Sequence, residues 1–324
     1  MTIKKPIEFK KINIRRILII RLGKIGDVLL TTPLLRNLRK NLPKAYITYI
    51  VGKRASPILE NDPHISELII ANRNIFSEIM RREIYDLAID LNVIDVTSQL
   101  CILSGAKYRV GVYGGRWVHK NYNIVLSNPC KETNAIDYFL SLLKLIGLKN
   151  DKNRKTELYL THKEREIAQN RLKCFHKKII GIQPACDIKG RLWPAIKFAQ
   201  LADILSQKYN LKVLIFQTPG DESIALKMKN YMKHKPVLLP VIKLRQYLAV
   251  LNECKLYVAN EGGQLHMAKA LGIPTIGIFE CSFDLNYWFY YKDNFIKIVS
   301  ARIKEILIEQ VIEEIEKNYM HIIC

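Results

Sequence analysis

The stretch YVANEGGQLHMAKALGIPTIGIF, residues 257–279, contains a complete strand–helix–strand unit. Leu256–Ala259 reads as a buried strand, interrupted by Glu261, Gly262 and Gly263. A helix follows over Gln264–Leu271. Gly272 and Pro274 close it before a second buried strand, Thr275–Phe279. Two buried strands joined by one helix run parallel, because the crossover returns the chain to its starting end. Glycines ahead of a helix expose backbone N–H groups and the positive end of the helix dipole, which suits an anion. Glu261 beside such a site fits a sugar or ribose hydroxyl better than a phosphate. His266, in the first turn, is either a packed helix residue or a ligand contact.

The same alternation extends in both directions. Strands are expected at Ile17–Ile20, Tyr46–Val51, Leu87–Leu91, Ile179–Gln183 and Lys212–Phe216. Helices are expected at Asp27–Arg39, Ala135–Ile146, Thr161–Cys174, Ile196–Gln207, Glu222–Lys233, Leu244–Glu253 and Ile303–Asn318. Pro33 sits awkwardly inside the first of these helices. The polar run Lys149–Lys155 is the best candidate for the start of an interdomain connection. The pattern predicts two Rossmann-like α/β domains, residues 1–172 and 173–324, with parallel sheets facing a cleft. The final helix is a candidate to pack back on the N-terminal domain. Ligands in such folds bind beyond the carboxyl ends of the strands.

Two further loops stand at such positions. In ILIIRLGKIGDVLLTTPLLRNLR, residues 17–39, Gly23, Lys24 and Gly26 lie between strand and helix, with Asp27 at the helix start. The spacing is neither a dinucleotide fingerprint nor a Walker loop. Asp27 either caps the helix, a role worth about 1 kcal/mol, or serves chemistry. In GIQPACDIKGRLWP, residues 181–194, Pro184 ends a strand and Trp193-Pro194 opens a helix. Arg191 just before it could clamp a diphosphate through its planar fork.

Composition narrows the class. With 324 residues, 49% hydrophobic and 25% charged, the chain is an ordinary globular one. No segment approaches the run of about 20 apolar residues that spans a bilayer, and the basic N-terminus is not followed by a secretory core; a cytoplasmic protein is expected. The seven cysteines are scattered and never spaced C-x-x-C, which predicts buried free thiols rather than zinc or disulfides. The net charge of +21 reflects either lysine-rich composition or an anionic partner. Lys4, Lys5, Lys10, Lys11, Arg15 and Arg16 cluster as a membrane-surface patch would. No nucleic-acid-binding motif accompanies them.

These three loops, in this order, resemble glycosyltransferase family 9, the lipopolysaccharide heptosyltransferases. The family's opening motif falls on Arg21, Gly26, Asp27, Thr32, Pro33 and Leu35. Its basic residue two before Trp-Pro falls on Arg191, and its Asn-Asp-Ser/Thr-Gly-x-x-His loop on Asn260 through His266. Weaker echoes are Asp86–Leu91 and Arg109–Gly111. Glu261 stands in place of aspartate, Gly262 of Ser/Thr, Arg191 of lysine, Gln183 of histidine and Glu280 of glycine.

The resemblance implies a GT-B fold and inverting, metal-independent transfer of a heptose or related sugar. The donor would be ADP-activated. The acceptor would be the lipopolysaccharide inner core or a similar anionic glycolipid, reached at the inner face of the inner membrane. Asp27 would be the general base, with Gly23, Lys24 and Gly26 forming the acceptor loop. Arg191 would stabilise the leaving diphosphate. Cys186, Asp187, Glu222, Ile242, Glu261, Gly262, Gly263, Gln264 and His266 would join it in holding the nucleotide sugar. No metal, other cofactor or nucleic acid is implied. Two other readings fit the same residues. One is a sugar-nucleotide-binding protein without turnover, suggested by Glu261, Gly262 and Glu280. The other is a nucleotide-sugar epimerase on the same fold.

Overall fold

A computed structural model describes residues 13–112, 118–126, 133–186, 190–234, 236–281, 285–289 and 293–323. The chain divides into two compact units, Met1–Tyr159 and Leu160–Cys324. Among the described residues the first unit carries strands β1 (Arg16–Arg21), β2 (Tyr46–Val51), β3 (Glu67–Ile70), β4 (Leu87–Asp90), β5 (Tyr108–Gly111) and β6 (Ile124–Val125), in the order β3-β2-β1-β4-β5-β6. The second carries β7 (Ile179–Gln183), β8 (Lys212–Ile215), β9 (Val237–Leu238), β10 (Leu256–Asn260), β11 (Thr275–Glu280) and β12 (Phe295–Ser300), in the order β12-β11-β10-β7-β8-β9. Every pairing is parallel. Each unit therefore gathers its strand-to-helix loops on one edge of its sheet.

The central strands are apolar runs because helices cover both faces. Ile17, Leu18, Ile19 and Ile20 of β1 are fully buried, as are Leu256, Tyr257, Val258 and Ala259 of β10. The helix expected over Asp27–Arg39 is two helices, Ile25–Leu29 and Thr32–Asn41. Pro33 occupies the first turn of the second, where a missing N–H costs nothing. It starts a helix instead of kinking one. Gly147 closes the helix Ala135–Leu145 with φ of 71°, a left-handed turn that glycine adopts without penalty.

The run Lys149–Lys155, just ahead of the unit boundary, straps helix Thr32–Asn41. Asn41 exchanges hydrogen bonds with the Lys149 backbone (2.8 and 3.0 Å). The fully buried Asn37 pairs with Asp151 through both ends of its amide (2.9 and 3.1 Å). Arg36 donates to the carbonyls of Lys155 and Asn153 and lies 3.0 Å from Glu157. Charge in this run serves packing rather than flexibility.

The unit boundary precedes helix His162–Leu172, whose Glu164 forms a two-pronged ion pair with Arg245 of helix Leu244–Asn252 (2.6 and 2.7 Å). The final helix, Ile308–Ile323, packs in the second unit's own core. Its Val311, Ile315, Tyr319 and Ile323, spaced one turn apart, meet Phe198, Ala202 and Leu205 of helix Ala195–Lys208. Only two of the described free thiols, Cys101 and Cys254, are fully buried; Cys186 is half-buried, and Cys174 and Cys281 are exposed. Among the described residues no helix is long and apolar enough to cross a membrane.

Candidate active site

In the first unit β1 delivers Arg21 to the sheet's carboxyl edge, and a three-residue loop leads into the short helix Ile25–Leu29. Asp27, third in that helix, accepts a hydrogen bond from the Lys24 amide at 2.9 Å. Its other oxygen lies 3.6 Å from Arg21 Nη2. The carboxylate thus caps the helix, yet 26% of its side chain remains open to solvent. Arg21 is held in turn by the Leu91 carbonyl and sits over the Phe139 ring, 5.5 Å from its centroid.

The loop has no room for a side chain at Gly23. A Cβ there would stand 2.6 Å from Asp27 Oδ2 and 3.1 Å from Arg21 Nε. Lys24 is exposed, whereas Gly26 is buried against the sheet.

The neighbouring strand fixes the loop from the side. Leu22 N donates to Asn92 Oδ1 at 2.5 Å. Asn92 is set by Asp90, which accepts from the Asn92 and Val93 amides (2.8 and 3.0 Å) and from the Tyr122 hydroxyl at 2.6 Å. Burial pushes the Asp90 carboxyl above its ordinary range, and the hydrogen bonds oppose that shift. Sequence reasoning saw Asp90 only as a weak echo and missed Asn92. The available signal was Asp-x-Asn directly after a strand, a residue pair that folds back on its own amides.

In the second unit the candidate donor residues ring the carboxyl edge. Asn260, at the end of β10 and fully buried, is the hub. Its amide donates to Pro184 O at 2.6 Å and accepts from Trp193 N at 3.0 Å, joining the loop after β7 to the start of the next helix. That connection puts Arg191 beside the glycine turn: Arg191 Nη1 lies 3.2 Å from Glu261 Oε2. Gln264 folds back to donate to Asn260 O (3.0 Å) and Ala185 O (3.4 Å). A side chain on Gly262 would collide with the Gln264 carboxamide. Gly262 caps the helix Gly263–Ala270, so its first amides face the loop edge.

His266 is only 4% exposed and stacks on Phe289, with centroids 4.4 Å apart. Burial pulls its pKa down to about 3, leaving the imidazole neutral. It lies in the helix Gly263–Ala270 that follows the glycine turn. Gln183, at the end of β7, accepts from the hydroxyls of Tyr247 (2.5 Å) and Tyr257 (2.8 Å). The two hydroxyls also lie 2.9 Å from each other, so the three side chains form one buried hydrogen-bonded cluster.

Cys186 is half-buried next to Ala185, and Asp187 lies outside the described residues. Glu222 is exposed and accepts from Gly220 N at 2.8 Å. Ile242 is half-buried after β9. These two share the edge with Arg191 through their loops, which Gln217 links by donating to Leu239 O at 2.9 Å. Among the described residues no three His, Cys, Asp or Glu side chains gather as a metal site would.

The sequence profile of glycosyltransferase family 9 (heptosyltransferase) matches residues 74–320. The chain belongs to that family. This heptosyltransferase-family protein is 23% identical to lipopolysaccharide heptosyltransferase 3 of Escherichia coli K12, with 92% of its own length and 91% of that protein covered. Its fold superposes on a glycosyltransferase family 9 protein from Veillonella parvula with a TM-score of 0.85, at 24% identity over 94% of this chain and 96% of that one. The E. coli heptosyltransferase WaaC, solved with ADP, gives 0.75 at 19% identity over 95% and 99%. The two-domain GT-B fold and the glycosyltransferase class expected from the sequence both hold. Asp27 lies ahead of the matched span.

Proposed function

We propose that this family 9 glycosyltransferase moves a heptose from an ADP-activated donor to the inner core of lipopolysaccharide or a similar acidic glycolipid, with inversion at the anomeric carbon. One observation carries the donor side: Asn260 pins the loop after β7 to the glycine turn and sets Arg191 beside Glu261 at the sheet's carboxyl edge. An arginine fork and the opening amides of a helix suit a diphosphate. The names of the relatives, and of WaaC with ADP, support a heptose and an adenine nucleotide.

In this reading an acceptor hydroxyl attacks the anomeric carbon as the bond to the ADP oxygen breaks. Asp27 takes the hydroxyl proton, and ADP departs with the bonding electron pair. General-base assistance contributes about 10²–10⁴-fold. Arg191 and the Gly263 and Gln264 amides meet the charge that grows on the diphosphate, as preorganised donors do. Glu261 faces sugar or ribose hydroxyls, Glu222 and Ile242 border the nucleoside, and Gly23, Lys24 and Gly26 shape the acceptor loop. The nucleotide sugar is a co-substrate, so no resident cofactor is invoked. The reaction belongs at the cytoplasmic face of the inner membrane.

Purified protein incubated with ADP-heptose and an inner-core acceptor should release ADP and lengthen the acceptor by one heptose, read by mass spectrometry. Donor consumption that needs no acceptor and yields an isomeric nucleotide sugar would instead establish an epimerase. Donor binding without any product would leave only a binding protein.

A further inference from the structure

The loop that carries Asp27 is gripped by the turn after β4. β1 and β4 pair as far as Ile20 and Asp90, and Leu91 N donates to Ile20 O at 3.0 Å. Beyond that point the ladder ends and other groups take over. Leu22 N donates to Asn92 Oδ1 at 2.5 Å, and Arg21 Nη1 donates to Leu91 O. Arg21 in turn faces Asp27 at 3.6 Å.

The gripping turn is itself strained. Val93 has φ of 54°, a left-handed conformation that disfavours a β-branched residue. Such a geometry persists only where its surroundings over-determine it. The fully buried Asp90 does so here. One of its oxygens accepts the Asn92 and Val93 amides (2.8 and 3.0 Å), and the other accepts the Tyr122 hydroxyl at 2.6 Å.

β5 admits Tyr122 and holds it in place. Gly111 stands opposite Asp90 in the sheet register, and a Cβ there would lie 2.7 Å from the Tyr122 ring. Arg109 Nε donates to Asn121 O and Arg109 N to Asn123 Oδ1, both at 2.8 Å, which fixes the residues on either side of Tyr122. The sequence echoes around Asp90 and at Arg109–Gly111 thus meet in one chain of contacts that ends at the Asp27 loop.

We propose that Asn92, Asp90 and Tyr122 are positioning residues for Asp27, resting on the transferase reading above. None of them is asked to touch substrate. Asn92 holds the loop, Asp90 holds Asn92, and Tyr122 holds Asp90. A base that must meet one acceptor hydroxyl depends on such support, because a displacement of about 1 Å can cost on the order of 100-fold in rate.

The test compares Asn92→Ala, Asn92→Asp and Tyr122→Phe in the full chain, with Asn92→Ala also combined with Asp27→Asn. In Asn92→Ala, kcat should fall on the order of 10- to 100-fold while KM for donor and acceptor stays within about twofold. Asn92→Asp keeps an oxygen for Leu22 N and should recover most of the loss. Tyr122→Phe removes only a hydroxyl and should show a smaller fall at constant KM; it carries the same comparison if Asn92→Ala unfolds. Added to Asp27→Asn, Asn92→Ala should change the residual rate by less than about twofold, since residues that act as one unit are not additive. Amide exchange over residues 21–29 should quicken in Asn92→Ala and stay slow in Asn92→Asp, with the urea midpoint measured alongside. A raised acceptor KM at constant kcat would make Asn92 a ligand contact, and a second full-sized drop in the double variant would make the turn a general support. Either result overturns the proposal, as does an unchanged kcat or unchanged loop exchange in Asn92→Ala. Wild-type protein without transfer would sink the transferase reading alone, and the exchange comparison would still judge the grip on the loop.

Discussion

Arg21 holds Asp27 from one side at 3.6 Å while the Lys24 amide holds it from the other at 2.9 Å. The carboxylate is fixed on two sides and still reaches solvent, as a base must when it meets a hydroxyl. Asp27→Asn keeps the size and the amide contact but cannot accept a proton. Transfer should fall about 10²–10⁴-fold, with ADP affinity by calorimetry nearly unchanged. Turnover near the wild-type rate would remove Asp27 from the base role.

Gly23→Ala tests the same carboxylate by displacement. The added methyl would press on Asp27 Oδ2 at 2.6 Å, and the carboxylate must swing away. A shift of about 1 Å near the chemistry can cost on the order of 100-fold. The expected outcome is a large loss in kcat with little change in melting temperature. Equal activity would show that the loop does not position Asp27.

Arg191 and Glu261 should separate on the donor side. On the proposed reading Arg191→Ala removes the charge that meets the leaving diphosphate, and kcat should drop on the order of 10²–10³-fold. The ion pair is partly exposed, at 31% and 14%, and such pairs add at most about 1 kcal/mol of stability. Glu261→Gln should therefore leave urea unfolding almost unchanged while raising KM for the donor. A large loss of stability in Glu261→Gln would make the pair structural.

Asn260→Ala strips partners from the Pro184 carbonyl and the Trp193 amide together. Each buried group left unpaired costs roughly 1–3 kcal/mol. The urea midpoint should fall accordingly, and Arg191 should lose its fixed place, so donor affinity should fall as well. Weakened donor binding without destabilisation would point to a direct ligand contact instead.

His266 gives a pH signature. Its folded pKa of about 3 lies below the usual value of 6.5, so between those values the unfolded chain binds the extra proton. The stability tied to the neutral ring is complete above pH 6.5 and is lost as pH falls toward 3. At pH 5 the loss is about 2 kcal/mol. His266→Phe should flatten the stability profile between pH 7 and pH 5 by about that amount; identical slopes in the two proteins would refute this assignment.

Much of the architecture was legible along the chain. β2, β7 and the glycine turn follow from β-branched runs, glycine breaks and helical periodicity, all of which act over a few residues. The family motifs are equally local, so Asp27, Arg191 and Asn260–His266 could be named before any fold was known. Pro33 was harder, because the same residue kinks one long helix or starts a second. The break at Leu30–Thr31 decides between them, leaving Pro33 in the first turn of the second helix.

By itself the sequence determined two parallel α/β units and the loops that carry the candidate site, since burial patterns and turn residues dictate local conformation. Only the tertiary structure decided that Asn260 joins two loops, that Asn92 steadies the Gly23 loop from a neighbouring strand, and that a charged run straps a helix. Those bonds link residues 70 to 114 positions apart. Side-chain hydrogen bonds depend on the geometry that brings distant donors and acceptors within about 3 Å, and no periodicity in the chain records that distance.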